Sequence, residues 1–264
     1  MTEATYTPSA KRSVRPKIGL IFRSLLRADS TVLVRSSRTL LLNVLVPILY
    51  LVITNLHLGK GGITHLSVEF SISLALTVGL VSSSLIGYSI TIAHDRDAGV
   101  FQRLRVTPAP TWAIMTSRLL VQIIVDLIMT VVVLLVGSII HNTVFSAGGY
   151  LLVVCVSILG GAMFLAIGQA IVGLITSAAA VNAVGRILFI VFLLLGLLGA
   201  SGILGSTVQN ISDWTPVGAL INLYTGVLNL AHWDWTNTSG LIATVGYTLV
   251  GAFIGIRWFR WESR

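Results

Sequence analysis

The sequence predicts an all-α integral membrane protein with six transmembrane helices, and three observations carry that prediction. Hydrophobic residues fill 55% of the 264 positions and charged residues only 10%, where a soluble domain carries about a quarter charged residues. Mean hydropathy is +0.93. The charges cluster between apolar runs, and each run has the length of about 20 residues that a helix needs to cross a bilayer.

The elements follow in chain order. Residues 1–16 are polar and basic with no apolar core and no small-residue cleavage site, so a disordered cytoplasmic tail is expected rather than a signal peptide. Residues 17–35 (KIGLIFRSLLRADSTVLVR) place Ile18, Ile21, Phe22, Leu25 and Leu26 on one broad face. Arg23 and Arg27 lie on the other. Too charged to span, this stretch predicts an amphipathic helix lying in the headgroup region.

Spans are expected at about 39–59, 70–93 and 118–140. From 127 to 185 no Asp, Glu, Lys or Arg occurs, which is too long for one crossing. The polar, Gly-rich HNTVFSAGG at 141–149 breaks it into spans at 150–175 and 184–205. A last span covers 238–257. Residues 203–237 are too polar and Gly/Pro-broken for a clean span, yet too apolar for a solvated loop. With Trp214, Tyr224, Trp233 and Trp235 they predict an outer-side interfacial or re-entrant segment before span six.

Charge bookkeeping fixes the orientation. Six spans put 16 of the 17 basic residues on one side and leave only Lys60 on the other. Basic residues mark the cytoplasmic side, so both termini are expected there, in a multi-pass plasma-membrane protein.

Several functions are disfavoured. The net charge of +8 reads as topology and headgroup contact, because no basic stripe with interleaved aromatics points to nucleic acid. The single Cys155 has no partner for an intramolecular disulfide and reads as small apolar filler. The five histidines are scattered, giving no metal-site signal. No nucleophile elbow or paired-carboxylate pattern suggests an enzyme. No G-x-x-x-x-G-K-[ST] loop occurs, so ATP binding by a Walker A loop is not expected.

The segment at 94–108, HDRDAGVFQRLRVTP, holds five of the 26 charged residues. It can form a short helix with Val100, Phe101 and Leu104 on one side. Arg96, Gln102, Arg103 and Arg105 then stay available to a partner, and Thr107 and Pro108 stop the helix. The residues alone fit equally an ordinary solvated loop held inside by its arginines.

The longer stretch DRDAGVFQRLRVTPAPTWAIMTSRLL resembles the cytoplasmic segment between the second and third spans of ABC-2-type transporter permeases, the daunorubicin-resistance-like drug-efflux group among them. Asp95, Arg96, Asp97, Gly99, Leu104, Thr107 and Pro108 match that pattern by position. SSRTLLLNVLVPILYLV, with Pro47 partway, resembles the family's entry into span one. Asp95 and Asp97 stand where Glu is commoner, and Gln102 replaces a frequent Glu.

The resemblance implies the membrane subunit of an ABC exporter. Residues 95–108 would be the coupling helix that docks on a nucleotide-binding ATPase subunit, with helix 17–35, through Arg23 and Arg27, as a second contact. ATP and Mg would then sit on the partner and no cofactor on this chain. A second permease copy or paralogue would complete the pathway. Expected cargo is hydrophobic or amphipathic: a drug, an antibiotic or a lipid-like molecule.

Away from the span ends, Asp126 is the one formal charge within the spans. Intramembrane acids are costly and suggest function, so Asn43, Gln122, Asp126 and Gln169 are candidate pathway residues. Asp126 also reads as a structural acid hydrogen-bonded to Gln122, Asn43 or Gln169. The alternative function is a proton-coupled secondary transporter that uses Asp126, but no internal repeat supports it.

Overall fold

The structure is a computed structural model that describes residues 18–35, 37–58, 67–105, 107, 110–199 and 205–258. Every regular element among the described residues is helical. Helix α1 (Ile18–Arg35) leads into α2 (Ser37–Leu58). Helix α3 (Val68–Leu80) runs through a π-helical stretch, Val81–Gly87, into α4 (Tyr88–Asp97). A six-residue α5 (Val100–Arg105) precedes α6 (Thr111–Ile140), α7 (Ala147–Leu174) and α8 (Ala178–Leu194), which ends in a π-helical turn, Leu195–Gly199. Then come α9 (Ser206–Asp213), α10 (Pro216–Leu228) and α11 (Trp235–Trp258).

Local sequence sets the helix starts. Ser67, Ser146 and Ser177 cap α3, α7 and α8 by accepting bonds from Phe70, Gly149 and Ala180 N–H groups at 3.2, 3.0 and 3.5 Å. Thr215 caps α10, with Pro216 at the first helical position where its missing N–H costs nothing.

Among the described residues, four continuous helices are long and apolar enough to cross a membrane: Val68–Asp97, Trp112–Ile140, Ala147–Leu174 and Trp235–Trp258. Shorter apolar stretches lie at Asn43–Thr54, Ala178–Leu194 and Pro216–Leu228. The burial pattern agrees with a membrane setting. Large apolar side chains such as Ile128, Leu135, Leu249, Phe253 and Ile256 face outward. Ser71, Ser73, Thr77, Ser83, Ser84 and Thr130 are buried, as expected where lipid rather than water surrounds the bundle.

The most extensive packing joins α7 to α11. A Cβ added at Gly251 would meet the backbone of Ala166 and Ile167 at 2.9 and 3.0 Å, and one at Gly255 would meet Gln169 at 2.7 Å. Small residues here let two backbones approach, the usual route to helix association in lipid.

Boundaries differ from expectation at α6 and at α8, which starts at Ala178 rather than 184. Helix α6 starts at Thr111 rather than 118, because nothing in TWAIMTS breaks a helix and Pro110 ends the preceding turn. In the segment expected to be interfacial or re-entrant, α10 is buried in the core through Val217, Leu220, Ile221 and Leu223. Tyr224, expected at the interface, is wholly buried and shares a 2.7 Å hydrogen bond with Ser157. Trp214, Trp233 and Trp235 do remain exposed. The expectations for residues 1–16 and Pro108 fall outside the described residues.

Candidate functional site

Two neighbouring features hold the sequence-predicted residues: a charged corner where α4 meets α5, and a cavity walled by α1, α2, the first π-helical stretch, α4 and α6.

The corner forms because α4 stops at Asp97 and the chain reverses at Ala98–Gly99. Gly99 takes φ +69°, a backbone region that glycine enters without strain. Helix α5 then lays Phe101 fully inside and leaves Gln102 and Arg103 exposed. Leu104 is half-buried against the core. Thr107 ends α5: its N–H and hydroxyl both donate to the Leu104 carbonyl, at 3.1 and 2.6 Å.

The three charges of Asp95-Arg96-Asp97 each reach a different element, Arg96 buried, Asp95 half-buried and Asp97 exposed. Asp95 pairs with Arg118 of α6, whose guanidinium also lies 4.9 Å from the centre of the Phe101 ring, a favourable cation–π arrangement. Arg96 is 2% exposed. It donates to the carbonyls of Val172, Ile175 and Thr176 at 2.8, 2.9 and 2.8 Å. Those carbonyls close α7 and lack intrahelical donors, so the cation sits where the helix dipole and the orphan acceptors both favour it. Asp97 accepts from the Ala178 N–H at 3.2 Å, at the N-terminus of α8.

This corrects the expectation for Arg96. It is not available to a partner, because its guanidinium is committed to the α7–α8 turn. The outward face of the segment is carried by Gln102 and Arg103. On α1, Ile21, Phe22, Leu25, Leu26 and Asp29 are half-buried, while Arg23 and Arg27 are exposed as expected. Ile18, expected on the buried face, is exposed.

The cavity has a volume of about 370 Å³. Val32, Ile92, Val100, Val121 and Val125 supply its apolar walls, and Asp29, Asn43, Ser83, Tyr88, Asp95, Arg118 and Gln122 its polar ones. Asp29 accepts a hydrogen bond from the Ser117 hydroxyl. Burial raises the Asp29 carboxyl above the ordinary carboxylate range, while Ser117 and Arg118 pull it back down.

Of the predicted pathway residues, Asn43 and Gln122 line the cavity and Asp126 and Gln169 do not. Asp126 is 1% exposed. Its carboxylate accepts from the Ser84 hydroxyl and, at 3.2 Å, from the Gln122 amide, which also donates to Ser83 at 2.7 Å. Asn43 and Gln169 bind elsewhere: Asn43 accepts weakly from Ser82 at 3.5 Å, and Gln169 accepts from the Tyr88 hydroxyl at 2.8 Å. Asp126 therefore ties α6 to the π-helical stretch, where extra-wide turns expose hydroxyls that a regular α-helix keeps to itself.

Sequence reasoning missed Asp29, Ser83, Ser84 and Tyr88. Asp29 was legible: it continues the inward spacing of Ile21, Phe22, Leu25 and Leu26 by one more turn. No group of three or more His, Cys, Asp or Glu among the described residues fits a metal ion.

A family model described as ABC-2 type transporter matches residues 21–229, a stretch that contains both the corner and the cavity. No curated protein matches the chain.

Proposed function

The chain belongs to the ABC-2 type transporter family, and from that premise we propose that this permease subunit serves an ATP-driven exporter. A separate nucleotide-binding subunit hydrolyses the ATP and holds the Mg, and this chain carries no catalytic site. The crossings are α2, α3–α4, α6, α7, α8 with its π-helical turn, and α11, with both termini and α5 on the cytoplasmic side. A second copy or a paralogue completes the pathway, and the cargo is hydrophobic or amphipathic.

One observation carries the reading. Helix α5 presents Gln102 and Arg103 outward while Phe101 and Leu104 pack inward, and the end of α4 that leads into it is tied to the bundle. A short helix that only capped a loop needs no such anchoring. One that receives force needs rigid ties, and here they run from α4 to α6, α7 and α8. Movement imposed on α5 then reaches three long helices through hydrogen bonds and an ion pair rather than through a slack loop.

The test is affinity purification of the tagged chain in mild detergent. An ATP-hydrolysing subunit is expected with the wild type and lost with Arg103→Glu, with unchanged thermal stability. An ATPase that stays bound to Arg103→Glu would remove α5 as the docking element, and its absence from both preparations would remove the ATP-driven reading.

A further inference from the structure

The 370 Å³ cavity is built for more than lipid filling. Small-molecule sites are concave, mostly apolar and equipped with a few convergent polar groups, at volumes of about 300–1,000 Å³. Here the apolar walls come from Val32, Ile92, Val121 and Val125.

The charges do not balance. The lining holds two carboxylates, Asp29 and Asp95, and one cation, Arg118. Arg118 is taken by its ion pair with Asp95. Asp29 has a hydroxyl partner in Ser117 and feels Arg118 at longer range but forms no ion pair among the described residues, so the lining carries two acids against one cation beside a greasy chamber. Asn43 lines the cavity, and its carboxamide oxygen receives the Ser82 hydroxyl at 3.5 Å.

We propose that this cavity binds amphipathic monocations, with the positive group at Asp29, the hydrophobic body among the valines, and a hydrogen-bond acceptor at Asn43. The α1 helix forms the lip, through Asp29 and the 67% exposed Val32. A molecule lodged in the cytoplasmic headgroup layer reaches the chamber there without crossing water. That this is a cargo-entry site rests on the permease reading; the binding does not.

The experiment uses the full chain in nanodiscs, without ATP or any partner, with empty nanodiscs subtracted. The probe is rhodamine 6G, a hydrophobic monocation with an ester carbonyl, followed by fluorescence polarisation. Saturable binding is expected, displaced by tetraphenylphosphonium but not by tetraphenylborate, which has the same shape and opposite charge. Asp29→Asn should weaken binding about tenfold through loss of the charge pair. Val32→Trp, a change at the exposed lip, should block it while leaving thermal stability unchanged.

Equal competition by the two tetraphenyl ions would overturn the proposal and mark the cavity as an apolar space for lipid. So would unchanged affinity in Asp29→Asn, or binding no greater than that of empty nanodiscs. Because no ATPase takes part, failure here leaves the co-purification test of the permease reading untouched.

Discussion

Arg96 gives the sharpest test of how the corner is built. Its guanidinium donates to three carbonyls at 2.8–2.9 Å from a site 2% exposed. A hydrogen bond to a charged group contributes about 1.5–3 kcal/mol, and the three are not additive because they share one cation. Breaking a buried charged network costs about 3–5 kcal/mol, so we take about 4 kcal/mol for Arg96→Ala. At about 2–4 °C per kcal/mol for a chain of this size, the melting temperature should fall by roughly 8–16 °C. Arg96→Lys keeps the charge but loses the planar fork, and one ammonium does not span three acceptors in the same geometry. Its loss should lie between wild type and alanine. The assay is thermal unfolding in detergent followed by tryptophan fluorescence, with co-purification of the ATPase scored in parallel. If Arg96→Ala melted within about 2 °C of wild type while losing the ATPase, Arg96 would face the partner and the inward clamp would be wrong.

Other outcomes follow from the same geometry. Asp126→Asn keeps the shape and an acceptor for Ser84 and should cost little, whereas Asp126→Leu strands Ser84 and Gln122 and should cost about 2–4 kcal/mol, read as a lower melting temperature. Gly251→Leu drives a side chain into the Ala166–Ile167 backbone, 2.9 Å from the first added carbon, and should abolish folded yield on size-exclusion chromatography. Asp29 also predicts a pH effect. Because burial raises its carboxyl, the folded state binds the proton more tightly than the unfolded chain. This group's contribution is therefore full below the ordinary carboxylate range and lost as pH rises through its raised value. Melting curves from pH 4 to pH 7 should show a component of this sign in wild type that Asp29→Asn lacks.

The all-helical, apolar character was legible because lipid imposes a simple rule on composition, and the α4–α5 turn was legible from Gly99 and the return at Thr107. The direction of the charges was harder. Counting arginines assigns a side of the membrane but not a side of a helix. Yet Ser89, Ile92, Ala93 and Arg96 share one buried stripe at helical spacing, so the phase of α4 already pointed Arg96 inward. The partners of Asp126 were half legible: Gln122 is one turn away on the same helix, while Ser84 depends on the register of the π-helical stretch. Apolar sequence does not announce where a helix widens by one residue. Tyr224 shows the opposite trap, an aromatic that composition assigns to the interface but whose hydroxyl is satisfied inside by Ser157.

The most direct measurement is cargo accumulation in inside-out vesicles that contain this chain and its co-purified ATPase, using rhodamine 6G as the reporter. The account predicts accumulation that needs hydrolysable ATP, persists without a proton gradient, survives Asp126→Asn and is lost with Arg103→Glu. Accumulation driven by a proton gradient without ATP, and abolished by Asp126→Asn, would contradict it.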